Sequence, residues 1–216
     1  MDPTKLEVRT FTYKTVNGLS IKADVRRLGD AVPRPAVMWI HGGALMVGCR
    51  EWLDGHIKTP LLLAGYVFIS IDYRLAPESK LPDIIEDVED AYTWILEEGS
   101  DLFGVDPAGI AVVGSSAGGY LTLTSGYRCN PRPAALVSFF GYGDLIGSWL
   151  SSPSPHPRHQ GETMSAGDLE TITNGPPVSD YRDRSGDGGA FYVHCRQHGT
   201  HGRAISGCDP KPVARD

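Results

Sequence analysis

Ile110-Ala111-Val112-Val113-Gly114-Ser115-Ser116-Ala117-Gly118-Gly119-Tyr120-Leu121 is an apolar, β-branched run that ends in Gly-x-Ser-x-Gly and passes into a helix-like pattern. This is the form of a nucleophile elbow, a sharp turn between a buried strand and a helix with Ser116 at its tip. Gly114 and Gly118 have a steric reason to be glycine, because the turn is strained and neighbouring backbone passes close to it. Ser115 competes for the role, but only Ser116 fits the Gly-x-Ser-x-Gly frame. The helix that follows aims free N–H groups at whatever the serine attacks.

Upstream of this stretch the chain alternates short apolar runs with helical patterns. Residues 6–16 alternate apolar or β-branched with polar, Asn17-Gly18 follows, and Ile21, Ala23 and Val25 resume the alternation. Asn-Gly between two such runs predicts an antiparallel hairpin, placed here at one edge of a sheet. Ala36-Val37-Met38-Trp39-Ile40 is continuously apolar, as a strand buried on both faces should be, and it runs into His41-Gly42-Gly43-Ala44. Two glycines there allow backbone N–H groups to approach a ligand, which is what charge developing on a carbonyl oxygen requires. A plain Gly-Gly turn is the alternative.

Residues 54–64 read as a helix closed by Gly65, and Tyr66–Ile71 as a third buried strand ending in Asp72-Tyr73-Arg74-Leu75-Ala76-Pro77-Glu78. Asp72 and Arg74 are expected to pair and brace the loops. A helix opens near Pro82 and carries Ile84, Val88, Ala91 and Ile95 on one face. Asp106–Gly109 is a turn into the elbow strand, and Ala134–Phe140 is the next buried strand, ending in Gly141-Tyr142-Gly143-Asp144. A hairpin followed by strand–helix units predicts an α/β fold with a mostly parallel sheet and right-handed crossovers. His41, Asp72 and Ser116 then share the carboxyl edge. From about 147 the composition shifts: 148–161 is crowded with Ser, Pro and His and reads as an exposed connection, and 176–190 is rich in Pro, Gly and Asp. Helical spacing returns at Phe191-Tyr192, Cys195 and His198.

The formal net charge of −6 argues against nucleic acid or an anionic membrane surface as a partner. Met1-Asp2-Pro3-Thr4-Lys5 is followed by no apolar run, and four cysteines (Cys49, Cys129, Cys195, Cys208) show no C-x-x-C pairing. The expectation is a reduced, cytoplasmic setting with no secretory leader. Cys195-x-x-His198-x-x-His201-x6-Cys208 offers zinc-type ligands, but the spacing matches no standard zinc motif, so neither a metal nor a cofactor is expected.

Three of these stretches, in this order, resemble the α/β-hydrolase esterases of the hormone-sensitive-lipase type: His41-Gly42-Gly43-Ala44, Asp72–Glu78 and Gly114-Ser115-Ser116-Ala117-Gly118-Gly119. The resemblance covers roughly 6–145, the expected hydrolase core (1–145), with 146–216 as an insert or cap-like segment and tail. It implies an α/β-hydrolase fold and a serine carboxylester hydrolase acting on small or medium esters. Ser116 is then the nucleophile, and the backbone N–H groups of Gly42, Gly43 and Ala117 form the oxyanion hole. Ala44 departs from the family's usual third glycine. It keeps its N–H but brings a side chain near the pocket.

A serine needs a base, and the base an orienting acid, in the order Ser, then Asp or Glu, then His. The resemblance places each after a further buried strand, and neither strand signal is found after Phe140. The fold is therefore expected to be C-terminally incomplete, with impaired activity. Three readings follow: a chain lacking the usual acid and histidine, an improvised base, or completion by a second copy through the open sheet edge. His194, His198 and His201 lie downstream of Asp168, Asp180, Asp183 and Asp187, so the order is permitted. Asp144 follows a strand at the right edge, but a loop or capping role is commoner there. The rival function is a catalytically degenerate hydrolase that binds ligands or partners.

Overall fold

Alternation in the first strands and continuous apolar runs in the later ones build a six-stranded sheet in the order β1-β2-β4-β3-β5-β6. The computed structural model describes residues 5–29, 32–145 and 147–208. Strands β1 (Leu6–Val16) and β2 (Leu19–Leu28) form the expected hairpin at the sheet edge. Asn17 and Gly18 both take positive φ, 48° and 87°, as a tight turn matched to strand twist requires. β2 lies antiparallel to β4 (Val67–Ile71), while β3 (Arg34–Ile40), β4, β5 (Val105–Ser115) and β6 (Ala135–Phe139) run parallel. The predicted turn at Asp106–Gly109 lies inside β5, where the register to β3 jumps from Arg34↔Val105 to Ala36↔Ile110.

The two faces of β3 sort its side chains by the period of two. Met38 and Ile40 join Ile69, Ile71 and Val112 in a cluster with Ile84, Val88 and Ile95 of α2 (Leu81–Phe103) and Leu121 of α3 (Ala117–Arg128). Val37 and Trp39 join Phe68, Val113 and Leu62 of α1 (Gly55–Leu63) on the other face. The strand order therefore reverses at β3: α1 leads to its neighbour on one side, β4, and α2 leads across to its neighbour on the other, β5. Ile40 aligns with Ile71 and Gly114, and Ser115 with Phe139, so all four parallel strands end in one row. A crevice at the carboxyl ends, beside a strand with such a reversal, is where open α/β sheets hold ligands.

Two expectations change. β6 is not buried. It is the last strand, bonded only to β5, and Leu136, Val137 and Phe140 are exposed by 37%, 42% and 79%. An apolar run cannot by itself report whether another strand stands beside it. The stretch 148–161, expected as an exposed connection, instead opens with α4 (Ser148–Ser151) and packs inward, while the helices expected of an insert follow as α5 (Ala166–Thr173), α6 (Gly188–His198) and α7 (His201–Ser206). Leu150, Ile172, Val178, Phe191, Cys195 and Ile205 enter the same apolar cluster as α2. Polar residues in 148–161 and 176–190 are buried as well, among them Ser154, His159, Asp180 and Arg184, because they find partners there.

Candidate active site

Ser116 stands between β5 and α3 with φ 54° and ψ −119°, a left-handed backbone that costs on the order of 1–3 kcal/mol outside glycine. Contacts on both sides hold it there. The Ser116 N–H donates to the Phe139 carbonyl at 2.9 Å, and the Ser116 carbonyl accepts from Tyr120 N–H at 3.1 Å. A Cβ at Gly118 would overlap the Ile40 and His41 carbonyls, and one at Gly114 would overlap the Gly118 backbone. The strained turn is thus pressed against the end of β3, and the side chain of Ser116 remains only half-buried.

The loop after β3 arrives at the same point. A Cβ at Gly42 would stand 3.2 Å from Ser116 Cβ and 3.0 Å from the Ser115 carbonyl oxygen, so the two backbones touch. Gly43, Ala44 and Leu45 follow with φ 112°, 58° and 64°. The Gly43 carbonyl accepts from both Met46 and Val47 N–H at 2.9 Å, which closes the loop into a tight turn. Ala117 is the first residue of α3, so its N–H has no acceptor within the helix. The Gly42, Gly43 and Ala117 N–H groups make no backbone hydrogen bond among the described residues.

Behind the loop, the buried His41 ring stacks on Tyr73 at 4.3 Å and its Nδ1 donates to the Gly42 carbonyl at 2.7 Å. Burial holds its pKa down at about 4 despite that bond, so it is neutral and not an acid–base group near pH 7. Asp72 and Arg74 do not pair with each other. Asp72 accepts from Arg50, from the N–H at 2.6 Å and from Nη1 at 2.7 Å, while Arg74 reaches Asp87 on α2 at 2.8 Å. The charges they need come from segments that lie on either side of them in the sequence, 22 residues before Asp72 and 13 after Arg74. Burial pushes Asp72 up to about 6 against the pull of Arg50. Arg184 crosses from the helical segment to Glu78 at 2.6 Å, both about 1% exposed, and donates to the Ala76 carbonyl at 2.8 Å.

The histidines predicted as candidates are brought near the loops but not to the serine. His201 is buried with Nε2 donating to the Ala44 carbonyl at 3.2 Å, and burial lowers its pKa to about 4. His194 and His198 stack on each other at 4.2 Å. Asp180 pairs with Arg182, and Asp187 caps α6 through the Gly189 and Ala190 N–H groups. Asp183 lies in a short 3-10 turn, Tyr181–Asp183, and the carboxylate of Asp168 accepts from the hydroxyl of Ser165, the N-cap of α5. Asp144 takes the Gly147 N–H, a loop role. No hydrogen bond joins a histidine to Ser116 among the described residues, nor do three or more His, Cys, Asp or Glu gather as a metal site there.

Sequence reasoning missed Tyr142. Burial raises its phenol above the ordinary tyrosine value, and the influence of the Ser116 side chain opposes that rise. The available signal was its place just beyond β6, whose end aligns with that of the elbow strand.

Residues 37–174 match the alpha/beta hydrolase fold family. The chain belongs to that family. Within it, this α/β-hydrolase is 37% identical over 110 residues to esterase LipI of Mycobacterium tuberculosis, covering 51% of the chain and 34% of LipI. A longer match, 34% identical over 197 residues, is to the non-reducing polyketide synthase Preu6 of Preussia isomera, covering 84% of the chain and 9% of the synthase. Among solved structures, an esterase of Pyrobaculum calidifontis superposes with TM-score 0.60 at 28% identity, covering 96% of the chain and 59% of that protein. This α/β-hydrolase thus spans about a third of LipI and under a tenth of the synthase. No helix among its described residues is long and apolar enough to cross a membrane.

Proposed function

We propose that this chain is a carboxylester hydrolase acting through Ser116 on small or medium esters, with Gly42, Gly43 and Ala117 as the oxyanion hole. The observation that carries the reading is the contact between two separately built loops. Gly42 lies against Ser115 and Ser116, which brings amide hydrogens without backbone acceptors beside a strained, half-buried serine. Attack by Oγ on an ester carbonyl places negative charge on the carbonyl oxygen, and donors already in position lower that barrier by a few kcal/mol each. The esterase relatives support the same chemistry.

In this reading Tyr142 handles the proton. Burial raises the pKa of its phenol and the Ser116 side chain opposes that rise, so the phenol stands in the surroundings of the serine hydroxyl. It takes the proton of Oγ while giving its own to the leaving alkoxide, which leaves an acyl-serine, a free alcohol and a neutral phenol. Water then cleaves the acyl-serine by the reverse exchange. Burial disfavours an ionised tyrosine, so the two transfers are concerted. With no imidazole bonded to the serine, the rate belongs to the residual range of roughly 10³–10⁴ over water that oxyanion binding alone sustains.

Hydrolysis of p-nitrophenyl acetate and butyrate by the full chain, with fluorophosphonate labelling followed by intact mass, tests the assignment. We expect single labelling of the parent chain, no label on Ser116→Ala, and loss of hydrolysis in that variant. Equal rates in the two proteins, with no label on either, would leave a ligand-binding protein on a hydrolase fold. Tyr142→Phe is expected to slow turnover more than tenfold while still accepting the label.

A further inference from the structure

The loop that carries the Gly42 and Gly43 N–H groups is bent into a left-handed turn by two residues that are not glycine. Ala44 and Leu45 have φ 58° and 64°, a region in which a Cβ crowds the following carbonyl, and both are buried. Consecutive side-chain-bearing residues persist in that conformation only where their surroundings over-determine it. From inside, Met46 and Val47 N–H close the turn on the Gly43 carbonyl. From outside, three successive carbonyls are taken by three different segments. Ala44 accepts from His201 Nε2 of α7 at 3.2 Å, Leu45 from the Ala76 N–H at 2.8 Å, and Met46 from Arg184 Nη1. Two of these three donors come from the helical segment after 147.

Packing alone does not account for an imidazole at 201. The side chain is fully buried. A carbonyl only accepts, so Nε2 carries the ring proton and Nδ1 is left as an acceptor. That Nδ1 is buried without a partner among the described residues. A phenyl ring would fill the same space and keep the edge contact with Tyr192 without stranding a polar atom. What the imidazole adds is its bond to the Ala44 carbonyl. Alanine at 44 makes an outside hold necessary, because glycine would take positive φ freely.

We propose that His201 is a positioning residue for the oxyanion hole. By pinning the Ala44 carbonyl it keeps the turn left-handed, and the turn keeps the Gly42 and Gly43 N–H groups beside Ser116. The helical segment after 147 thus acts on the site through its backbone and not by supplying a base. The effect on catalysis rests on Ser116 being the nucleophile; the hold on the turn does not. Released, Ala44 relaxes toward right-handed backbone, which breaks the bonds into the Gly43 carbonyl and rotates the neighbouring peptides. Donors aimed at a developing oxyanion act on the barrier rather than on substrate binding, so the signature is a fall in kcat at constant KM.

Two measurements on the full chain test this. Hydrogen exchange of the Met46 and Val47 amides reads the turn without reference to activity. His201→Phe should speed that exchange at least fivefold and leave β5 and α3 unchanged, while His201→Gln, which can return a donor near the position of Nε2, should stay within twofold of the parent. In p-nitrophenyl butyrate hydrolysis, His201→Phe should lower kcat at least fivefold with KM within twofold, and His201→Gln should recover most of the loss. In an Ala44→Gly background the turn is no longer strained, so there His201→Phe should lower kcat less than twofold. His201→Met, which also lacks a donor, decides the comparison if a phenyl ring at 201 prevents a cooperative melt. Unchanged exchange in the donor-less variants overturns the hold on the turn. Faster exchange with unchanged kcat, or an equal loss in both backgrounds, overturns the positioning role. A parent that neither hydrolyses the ester nor takes the fluorophosphonate label overturns the Ser116 reading and the catalytic role of His201 together, and the exchange rates still decide the hold.

Discussion

Between Gly114 and Gly119 the position of Ser116 is set by backbone: carbonyls of Ile40, His41 and Phe139 and the first turn of α3 surround it. In the helical segment after 147, and above all between His194 and His201, ring positions are set by side chains: a neighbouring ring, a loop carbonyl, a tyrosine edge at 5.4 Å. The first region tolerates no alternative geometry, because added atoms meet main chain that cannot move aside. The second is packed just as well but spends its imidazoles on structure. A reactive serine can therefore be built locally, from one strand, one turn and one helix, whereas a base must be delivered by a distant segment, and here each histidine of that segment is otherwise engaged.

The largest effect should come from breaking the first region. Gly118→Val drives a side chain into the Ile40 and His41 carbonyls, and we expect a loss of more than about 4 kcal/mol, seen as the absence of a cooperative melt. Gly161→Ala, in the second region where a Cβ meets nothing within 4 Å, should stay within roughly 0.5 kcal/mol of the parent. If both variants melted alike, the contrast in rigidity would be wrong.

Next in size is the joint between the regions. Arg184→Met leaves Glu78 buried and unpaired, for an expected cost of about 3–5 kcal/mol by chemical denaturation. Arg184→Met combined with Glu78→Met should recover part of that loss. No recovery would mean that the hydrogen bonds from Arg184 to backbone, rather than the charge pair, hold the segment down.

A pH titration of stability compares the regions through one buried histidine in each. His41 and His201 both have folded pKa values near 4, below the ordinary value of about 6.5. Between these limits the unfolded chain binds the extra protons, so stability is full above about pH 6.5 and falls as pH drops toward 4. The loss is roughly 3 kcal/mol for each histidine at the lower limit. His201→Phe should flatten the slope of denaturation midpoint against pH by about half. An unchanged slope would show that His201 is not buried neutral.

The smallest expected effect is on turnover in the second region. His194→Gln and His198→Gln should each leave p-nitrophenyl butyrate hydrolysis within twofold of the parent. A tenfold drop in either would reveal a base supplied from α6.

Much of the first region is legible in the order of its residues. Asn17-Gly18 forces the hairpin, because its turn needs positive φ twice, and the glycines at 114 and 118 announce close backbone approach. Facts about neighbours are harder to read. Ala135–Phe139 is apolar whether or not a further strand covers it, and here it is an exposed edge. Asp72 and Arg74, two residues apart, carry no sign that their partners are Arg50 and Asp87. Nor does Tyr142, one of nine tyrosines, show that its phenol comes under the influence of the serine side chain.

By itself the amino-acid order determined the strands, their directions and the strained turn at Ser116, since these depend on side-chain period and on where a Cβ is forbidden, both properties of a few adjacent residues. Only the tertiary structure decided which charges pair, which histidines are buried neutral and what stands beside the serine hydroxyl. Those outcomes depend on distances between segments many residues apart, and such distances are set by how helices and sheet pack, not by any local pattern.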